Sequence, residues 1–152
     1  MTGTTSLLRE LADRAELADL VARHSLWIDE GRYDRTDELF TDDVVVTTAR
    51  GEVRGVEALV EAARTRHASY AGTLHSKANV VVDLDGARAS VRANDVAVYL
   101  LDDATEAVAA AIHRYGARRT ERGWRFDRLE VTPVALTAAL DRAAVPGAAH
   151  PA

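Results

Sequence analysis

The chain has no cysteine among its 152 residues. This absence excludes disulfides, thiolate nucleophiles, iron–sulfur clusters and cysteine-based zinc sites, and it fits a reducing compartment. No stretch approaches the roughly eighteen apolar residues of a membrane span, and the first residues lack the basic and apolar regions of a signal peptide. We therefore expect a cytoplasmic protein with no membrane partner.

An excess of positive charge is also missing. Nineteen Lys and Arg face twenty-four Asp and Glu, the net charge is -5, and the basic residues are scattered singly. Such a chain offers no electrostatic footprint for a phosphate backbone, so nucleic acid is not an expected partner. The length and the 47% of hydrophobic residues are those of one globular domain with one core.

The first half of the chain carries the signals of helices. Helical spacing of apolar residues predicts helices over residues 6–30, 33–40 and 56–67, the second starting at Asp34 or just before it. A β-branched run over residues 44–48 predicts a strand that turns near Gly51, and Gly55 closes this hairpin.

The second half reads as an antiparallel meander. Turn signals separate four predicted strands at 73–84, 87–101, 107–120 and 124–132. Pro133 is expected to end the last strand, followed by a terminal helix over 134–144 and a tail. We therefore predict an α+β domain over residues 1–135, with 136–152 as a C-terminal helix and tail. Its helices pack on a strongly curved, mainly antiparallel sheet whose open side is an apolar pocket.

Several stretches together carry a resemblance to a known family. They are LVARHSLWID at 20–29 with Gly31 and Tyr33-Asp34, LFTDDV at 39–44, Gly51 with Gly55, LHSKAN at 74–79, and Tyr115 through GWRF at 123–126. Their order and spacing resemble the nuclear transport factor 2-like superfamily, in its SnoaL-like branch near scytalone dehydratase. The resemblance implies a cone-shaped α+β barrel of the cystatin-like type and a homodimer formed through the outer face of the sheet.

Asp29 and His75 are the first two catalytic candidates. From spacing alone, Asp29 at the end of the first helix is more often a solvated carboxylate, and a lone strand histidine is more often structural. Imidazole nevertheless suits proton transfer near neutral pH. The resemblance implies that Asp29 points into the pocket and partners His75. Strand alternation places His75, Lys77, Asn79 and Val81 on one face and Leu74, Ala78, Val80 and Val82 on the other, and the pattern leaves both faces open as the pocket lining. Asn79 belongs to the stretch that carries the resemblance and is a candidate substrate-binding residue.

His113 is the third catalytic candidate. It alternates with alanines and with Tyr115, on a face of small side chains that leaves space beside an imidazole and a phenol. A buried structural histidine fits this pattern equally well. The resemblance implies that a histidine or an amide of this sheet takes part in the chemistry, so His113 joins the catalytic candidates and Tyr115 the substrate-binding ones.

Asp95, Trp27 and Tyr33 complete the candidate substrate-binding residues. Alternation allows Asp95 an inward position, although Asp is depleted in strands and a bulge that turns it to solvent is slightly favoured. Trp27 and Tyr33, with His24, are candidates to line the pocket, and core packing is their default role.

No cofactor is expected. The histidines and carboxylates lack a local metal-ligand spacing, and the chain has no phosphate-binding glycine loop, nucleophile elbow or dinucleotide fingerprint. The resemblance implies a cofactor-independent dehydratase, isomerase or cyclase acting on a small hydrophobic polyketide-, terpenoid- or steroid-like carbonyl compound. In that scheme His75, oriented by Asp29, takes a proton, and His113 or Tyr115 donates one.

Other functions of the same fold stay open at this point. One is an epoxide hydrolase, in which an aspartate activates water. Another is a non-catalytic module for small-molecule binding or dimerisation. A transport adaptor would need an exposed apolar patch, which the sequence does not reveal.

Overall fold

The computed structural model describes residues 2–101 and 105–138. Its first element is the helix α1, Thr2–Asp29, which begins earlier than predicted and ends as predicted before Gly31. Gly31 has a φ of +62°, a left-handed conformation that suits glycine and stops the helix. The second half of α1 buries Leu17, Val21 and Trp27, whereas apolar side chains of its first turns are exposed.

The predicted second helix is shorter than expected. A 3₁₀ turn, Tyr33–Arg35, leads into the single helical turn α2, Thr36–Leu39. Asp34 does not cap it. The Thr36 hydroxyl donates a hydrogen bond to the Tyr33 carbonyl instead, at 2.6 Å. Phe40 was predicted to be helical but is extended, because it begins the first strand and pairs with Phe126 in the buried sheet.

Six strands form one mixed sheet that surrounds the helices. The strands are β1 (Phe40–Thr48), β2 (Gly51–Arg54), β3 (Gly72–Asp85), β4 (Arg88–Leu100), β5 (Glu106–Thr120) and β6 (Gly123–Leu136), and the helix α3 (Val56–His67) lies between β2 and β3. Their order is β2-β1-β6-β5-β4-β3, and every neighbouring pair is antiparallel except β1 and β6. The predicted α+β class, the hairpin, the third helix and the meander are confirmed.

The end of β6 differs from the sequence prediction. The strand passes through Pro133 and continues to Leu136, so the predicted terminal helix is wrong over its first three residues. Pairing of β6 with β1 extends only to Glu130, which leaves one side of β6 without a described backbone partner at Pro133. A proline is tolerated there because its missing N–H breaks no central ladder. Residues 139–152, with the rest of that helix and the tail, lie outside the described residues.

The core lies between α1 and the inner face of the sheet. It contains four large aromatic side chains that are almost fully buried: Trp124, Tyr115, Phe40 and Phe126. Tyr115 and Phe126 stack with their ring centroids 4.3 Å apart. No helix among the described residues is long and apolar enough to cross a membrane.

Candidate active site

The structure brings Asp29 and His75 into direct contact. The His75 Nδ1 lies 2.7 Å from Asp29 Oδ1, and the two side chains are only 7% and 10% exposed. A carboxylate only accepts hydrogen bonds, so a neutral His75 facing it carries its proton on Nδ1. The lone pair of the imidazole is then on Nε2, on the side of the ring away from Asp29.

Two further hydrogen bonds fix the Asp29 carboxylate. The backbone N–H of His75 donates to Oδ2 at 2.8 Å, and the Thr73 hydroxyl donates to Oδ1 at 2.9 Å. Thr73 lies two residues before His75 on the same strand, so β3 alone supplies all three donors. This arrangement prevents rotation of the carboxylate and thereby fixes the orientation of the imidazole ring.

The geometry of α1 and β3 explains why a second polar contact, between Ser25 and Lys77, lies beside the contact between Asp29 and His75. Four residues of helix advance about 6 Å along the axis, and two residues of strand advance about 6.6 Å. One helical turn before Asp29 lies Ser25, and two strand residues after His75 lies Lys77. The Lys77 Nζ accordingly donates to Ser25 Oγ at 3.2 Å. The Asp29–His75 and Ser25–Lys77 contacts therefore lie next to each other between α1 and β3.

Lys77 is also paired across the sheet. It lies directly opposite Asp95 on β4, and its Nζ contacts Asp95 Oδ1 at 3.1 Å. The two side chains are 2% and 6% exposed. Burial lowers the pKa of the Lys77 ammonium, whereas the charge of Asp95 and the hydrogen bond to it act in the opposite direction. This is a desolvated ion pair next to the Asp29–His75 dyad.

A chain of buried polar groups continues from Asp95 towards the core. The His113 Nε2 lies 3.6 Å from Asp95 Oδ2, and its Nδ1 lies 3.2 Å from the Tyr115 hydroxyl. The same hydroxyl lies 2.9 Å from His24 Nδ1. The distance between His113 Nε2 and Asp95 Oδ2 is too long for a hydrogen bond. The nearby carboxylate nevertheless favours the tautomer of His113 that carries its proton on Nε2.

This position of the His113 proton sets the direction of the hydrogen bonds among His113, Tyr115 and His24. With its proton on Nε2, His113 accepts the Tyr115 hydroxyl proton at Nδ1, and the Tyr115 oxygen then accepts from His24 Nδ1–H. Burial, reinforced by the Lys77 charge, lowers the pKa of His113 to about 3, and burial drives the pKa of His24 well below its usual value. Burial also raises the pKa of Tyr115 well above its usual value. All three rings are therefore neutral at pH 7.

Tyr99 closes the other side of the dyad. Its hydroxyl lies 3.3 Å from His75 Nε2, and its ring packs on Tyr70 with centroids 4.7 Å apart. Burial, with the nearby charge of Asp95, raises the pKa of Tyr99 to about 12, so the phenol is a donor. Its long hydrogen bond marks the place where an incoming group would meet the imidazole lone pair.

Two predicted positions need correction. Asn79 has a φ of +52° and lies within a register shift between β3 and β4, which breaks the alternation. Its side chain is exposed instead of sharing the His75 face, and Val82 replaces Val81 as the inward residue. The bulge slightly favoured at Asp95 is also wrong. β4 pairs with β5 without interruption there, and Asp95 points inward because Lys77 compensates its charge.

The remaining predicted residues lie nearer the core. Trp27 is 3% exposed and donates its indole N–H to Thr36 Oγ at 2.9 Å. Tyr33 packs edge-on against Trp27, and its buried hydroxyl has no hydrogen-bond partner among the described residues. His67 is half-buried, with a buried Nε2.

Sequence reasoning missed several members of the site. Ser25, Thr73, Lys77 and Tyr99 received no role, although each has a visible signal. Ser25 precedes Asp29 by one helical turn, and Thr73 and Lys77 flank His75 at a spacing of two. Tyr99 alternates with Asp95 on β4.

Two other features bear on ligand binding. A solvent-open pocket between the end of α1 and the residues that follow it is lined by Arg23, Leu26, Trp27, Arg32, Arg35, Glu38 and Leu39, and it contains no member of the dyad. Among residues 2–101 and 105–138, no group of three or more His, Asp or Glu side chains is arranged to hold a metal ion.

The helices inside a curved six-stranded sheet, with polar groups on the inner face, define a domain of the nuclear transport factor 2-like class. The family model of the SnoaL-like domain matches residues 9–130, and the chain belongs to that family. The predicted resemblance is confirmed. No curated protein sequence matches the chain.

Solved structures share the fold. A nuclear transport factor 2-like protein with a cystatin-like fold from Novosphingobium aromaticivorans is 27% identical, with 96% of this chain and 97% of that chain covered and a TM-score of 0.78. A scytalone dehydratase-like protein from the same species is 19% identical, with coverages of 90% and 91% and a TM-score of 0.75. The hexachlorocyclohexane dehydrochlorinase LinA-type3 from Novosphingobium barchaimii is 19% identical, with coverages of 86% and 92% and a TM-score of 0.78. The fold therefore includes enzymes.

Proposed function

We propose that this chain is a cofactor-independent acid–base enzyme of the dehydratase, isomerase or cyclase type, acting on a small hydrophobic carbonyl compound. The observation that carries the proposal is the buried contact of 2.7 Å between His75 Nδ1 and Asp29 Oδ1. A dyad of this kind supplies a positioned base, which contributes about a hundredfold to ten-thousandfold to a proton transfer.

His75 is the base in this mechanism. Asp29 holds the proton of the ring on Nδ1, so the Nε2 lone pair is available to remove a proton from the carbon next to a carbonyl group. The nearby carboxylate then stabilises the imidazolium that forms. The same imidazolium returns the proton to another carbon in an isomerisation, or to a departing hydroxyl in a dehydration.

The substrate approaches His75 past Tyr99. The distance of 3.3 Å between the Tyr99 hydroxyl and Nε2 indicates a weak hydrogen bond that an incoming C–H group can replace. The aromatic faces of Tyr99 and Tyr70 favour a flat apolar molecule. LinA-type3 and the scytalone dehydratase-like protein, which share this fold, are named for eliminations, and this supports the reaction class without identifying the substrate.

The test is turnover of hydroxy-ketone, enone and epoxide panels followed by mass spectrometry. We expect His75→Gln and Asp29→Asn each to lower kcat by about a hundredfold or more while urea unfolding stays cooperative. His67→Gln is the matched control, because it changes a histidine outside the dyad, and it should keep full activity.

The same panel separates the alternatives. Turnover confined to epoxides and dependent on Asp29 would favour the epoxide hydrolase. Saturable binding without turnover, unaffected by either dyad substitution, would contradict the enzyme and favour a binding module.

A further inference from the structure

Lys77 is the single lysine of the chain. All the other residues among the nineteen basic ones are arginines, and most of those are on the surface. Arginine is the better partner for a carboxylate, because its planar fork makes two parallel hydrogen bonds. The one position that departs from arginine is also enclosed, with 2% of the side chain exposed. We therefore expect the compact ammonium of Lys77 to have a role in the site that the larger, planar guanidinium of an arginine would not fill.

The ion pair with Asp95 does not by itself explain a buried lysine. Desolvating two charges costs about as much as their attraction returns, and apolar residues of similar size are often equally stable. The Lys77 Nζ has three N–H donors. Two are used by Asp95 Oδ1 and Ser25 Oγ. Among the described residues, no third hydrogen-bond partner contacts the Lys77 Nζ.

Among the neighbouring hydrogen-bond donors, Lys77 offers a charged N–H group. His113 and Tyr115 are neutral, and the network described above uses their protons. The Lys77 ammonium instead carries a full charge in a place where water is largely excluded. Hydrogen-bond donors of this kind are most effective when they are fixed before charge develops on the substrate.

The spacing between His75 and Lys77 suits one functional group. Alternate residues of a strand are roughly 6.6 Å apart on the same face. With a contact of about 3 Å at each end, this spacing matches a carbonyl oxygen at Lys77 and its neighbouring carbon at His75. Ser25 and Asp29 hold the two side chains at this spacing from the helix side.

We propose that the Lys77 ammonium binds the substrate oxygen on which negative charge develops, so that the site selects carbonyl compounds that react through an enolate. The inference rests on the proposed function. When the C–H bond breaks, its proton passes to His75 Nε2 and its electron pair forms the new C=C bond. The former C=O π pair moves onto oxygen, where the third Lys77 N–H donates to it. No external oxidant or reductant is required.

The test uses 4-nitrophenol as a probe, because its phenolate resembles an enolate oxygen and absorbs visible light while the neutral phenol does not. We expect the wild type to bind the phenolate form preferentially. The double variant Lys77→Met/Asp95→Asn should bind phenolate about tenfold to hundredfold more weakly, the range for a hydrogen bond to a charged group. The double variant keeps the buried site neutral, so it remains informative where Lys77→Met alone fails to fold.

Arg118→Met is the matched control. It removes one positive charge from an ion pair with Asp43 on the surface, and it should leave phenolate binding unchanged. Equal phenolate affinity in the wild type and the Lys77 variants would overturn the inference, and so would a wild type that does not prefer phenolate. Lys77-dependent binding without any turnover would support the oxyanion site while the proposed reaction fails. Turnover that needs His75 but not Lys77 would overturn the oxyanion site alone.

Discussion

Acidification from pH 7 to pH 5 should destabilise this protein through its buried histidines. The native pKa of His113 is lowered to about 3 by burial, against about 6.5 in an unfolded chain. Between those values the unfolded state binds more protons than the native state, so the free energy of unfolding falls as the pH falls. The contribution is fully present above pH 6.5 and is progressively lost below it.

The magnitude follows from the two pKa values of His113. At about 1.4 kcal/mol per pH unit once the unfolded histidine is protonated, the loss between pH 7 and pH 5 is about 2 kcal/mol. His24 acts in the same direction, because burial lowers its pKa too. A domain of this size has about 5–15 kcal/mol of stability in total, so the effect is measurable.

The assay is urea unfolding at pH 7, 6 and 5, followed by the fluorescence of the buried Trp27 and Trp124. His113→Asn should reduce the pH-dependent loss by about 2 kcal/mol relative to the wild type. Comparison of the two proteins cancels the titrating groups that do not interact with His113. If the wild type were equally stable at pH 7 and pH 5, or if the variant kept the full pH dependence, a neutral buried His113 would be refuted.

Three further predictions concern single positions. Tyr115→Phe should lower the free energy of unfolding by about 2 kcal/mol or more in urea, because it leaves two buried imidazole nitrogens without their shared partner. Gly123→Ala should lower Tm by several degrees compared with Gly3→Ala, since Gly123 has a φ of +91° and its Cβ would stand 2.4 Å from a carboxylate oxygen of α1. The family resemblance implies a homodimer joined through the exposed apolar outer face of the sheet, so Val98→Glu should make the protein monomeric in light-scattering chromatography, whereas Leu8→Glu should not. An unchanged mass in the Val98 variant would contradict that dimer.

Much of the fold could be predicted because its signals are local. Helical spacing gave the bounds of α3 correctly, and a glycine with a positive φ gave the end of α1. Asp29 and His75 could be paired only through the family resemblance. They are separated by 46 positions, and no periodicity relates a helix end to a distant strand.

The failures have physical causes that a sequence pattern does not contain. One residue in a bulge, Asn79, reverses the inward face for the rest of β3. A bulge that turns Asp95 to solvent was slightly favoured because a strand carboxylate is unfavourable alone, but its partner Lys77 lies directly opposite it. Pro133 continues a strand because the neighbouring strand has already ended.

We expect the buried Lys77–Asp95 pair to contribute little to the stability of the fold, because its role is functional. Lys77→Met alone leaves the Asp95 carboxylate buried without its counter-charge, which should reduce the free energy of unfolding by about 3–5 kcal/mol. The double variant Lys77→Met/Asp95→Asn removes both charges, so it should recover most of that loss and unfold within about 1–2 kcal/mol of the wild type. A double-mutant cycle in urea measures this coupling. If the two substitutions were additive, the pair would not be an isolated buried ion pair. If the double variant were as unstable as Lys77→Met alone, the lysine would be retained for stability, and its unique position in the chain would need no functional explanation.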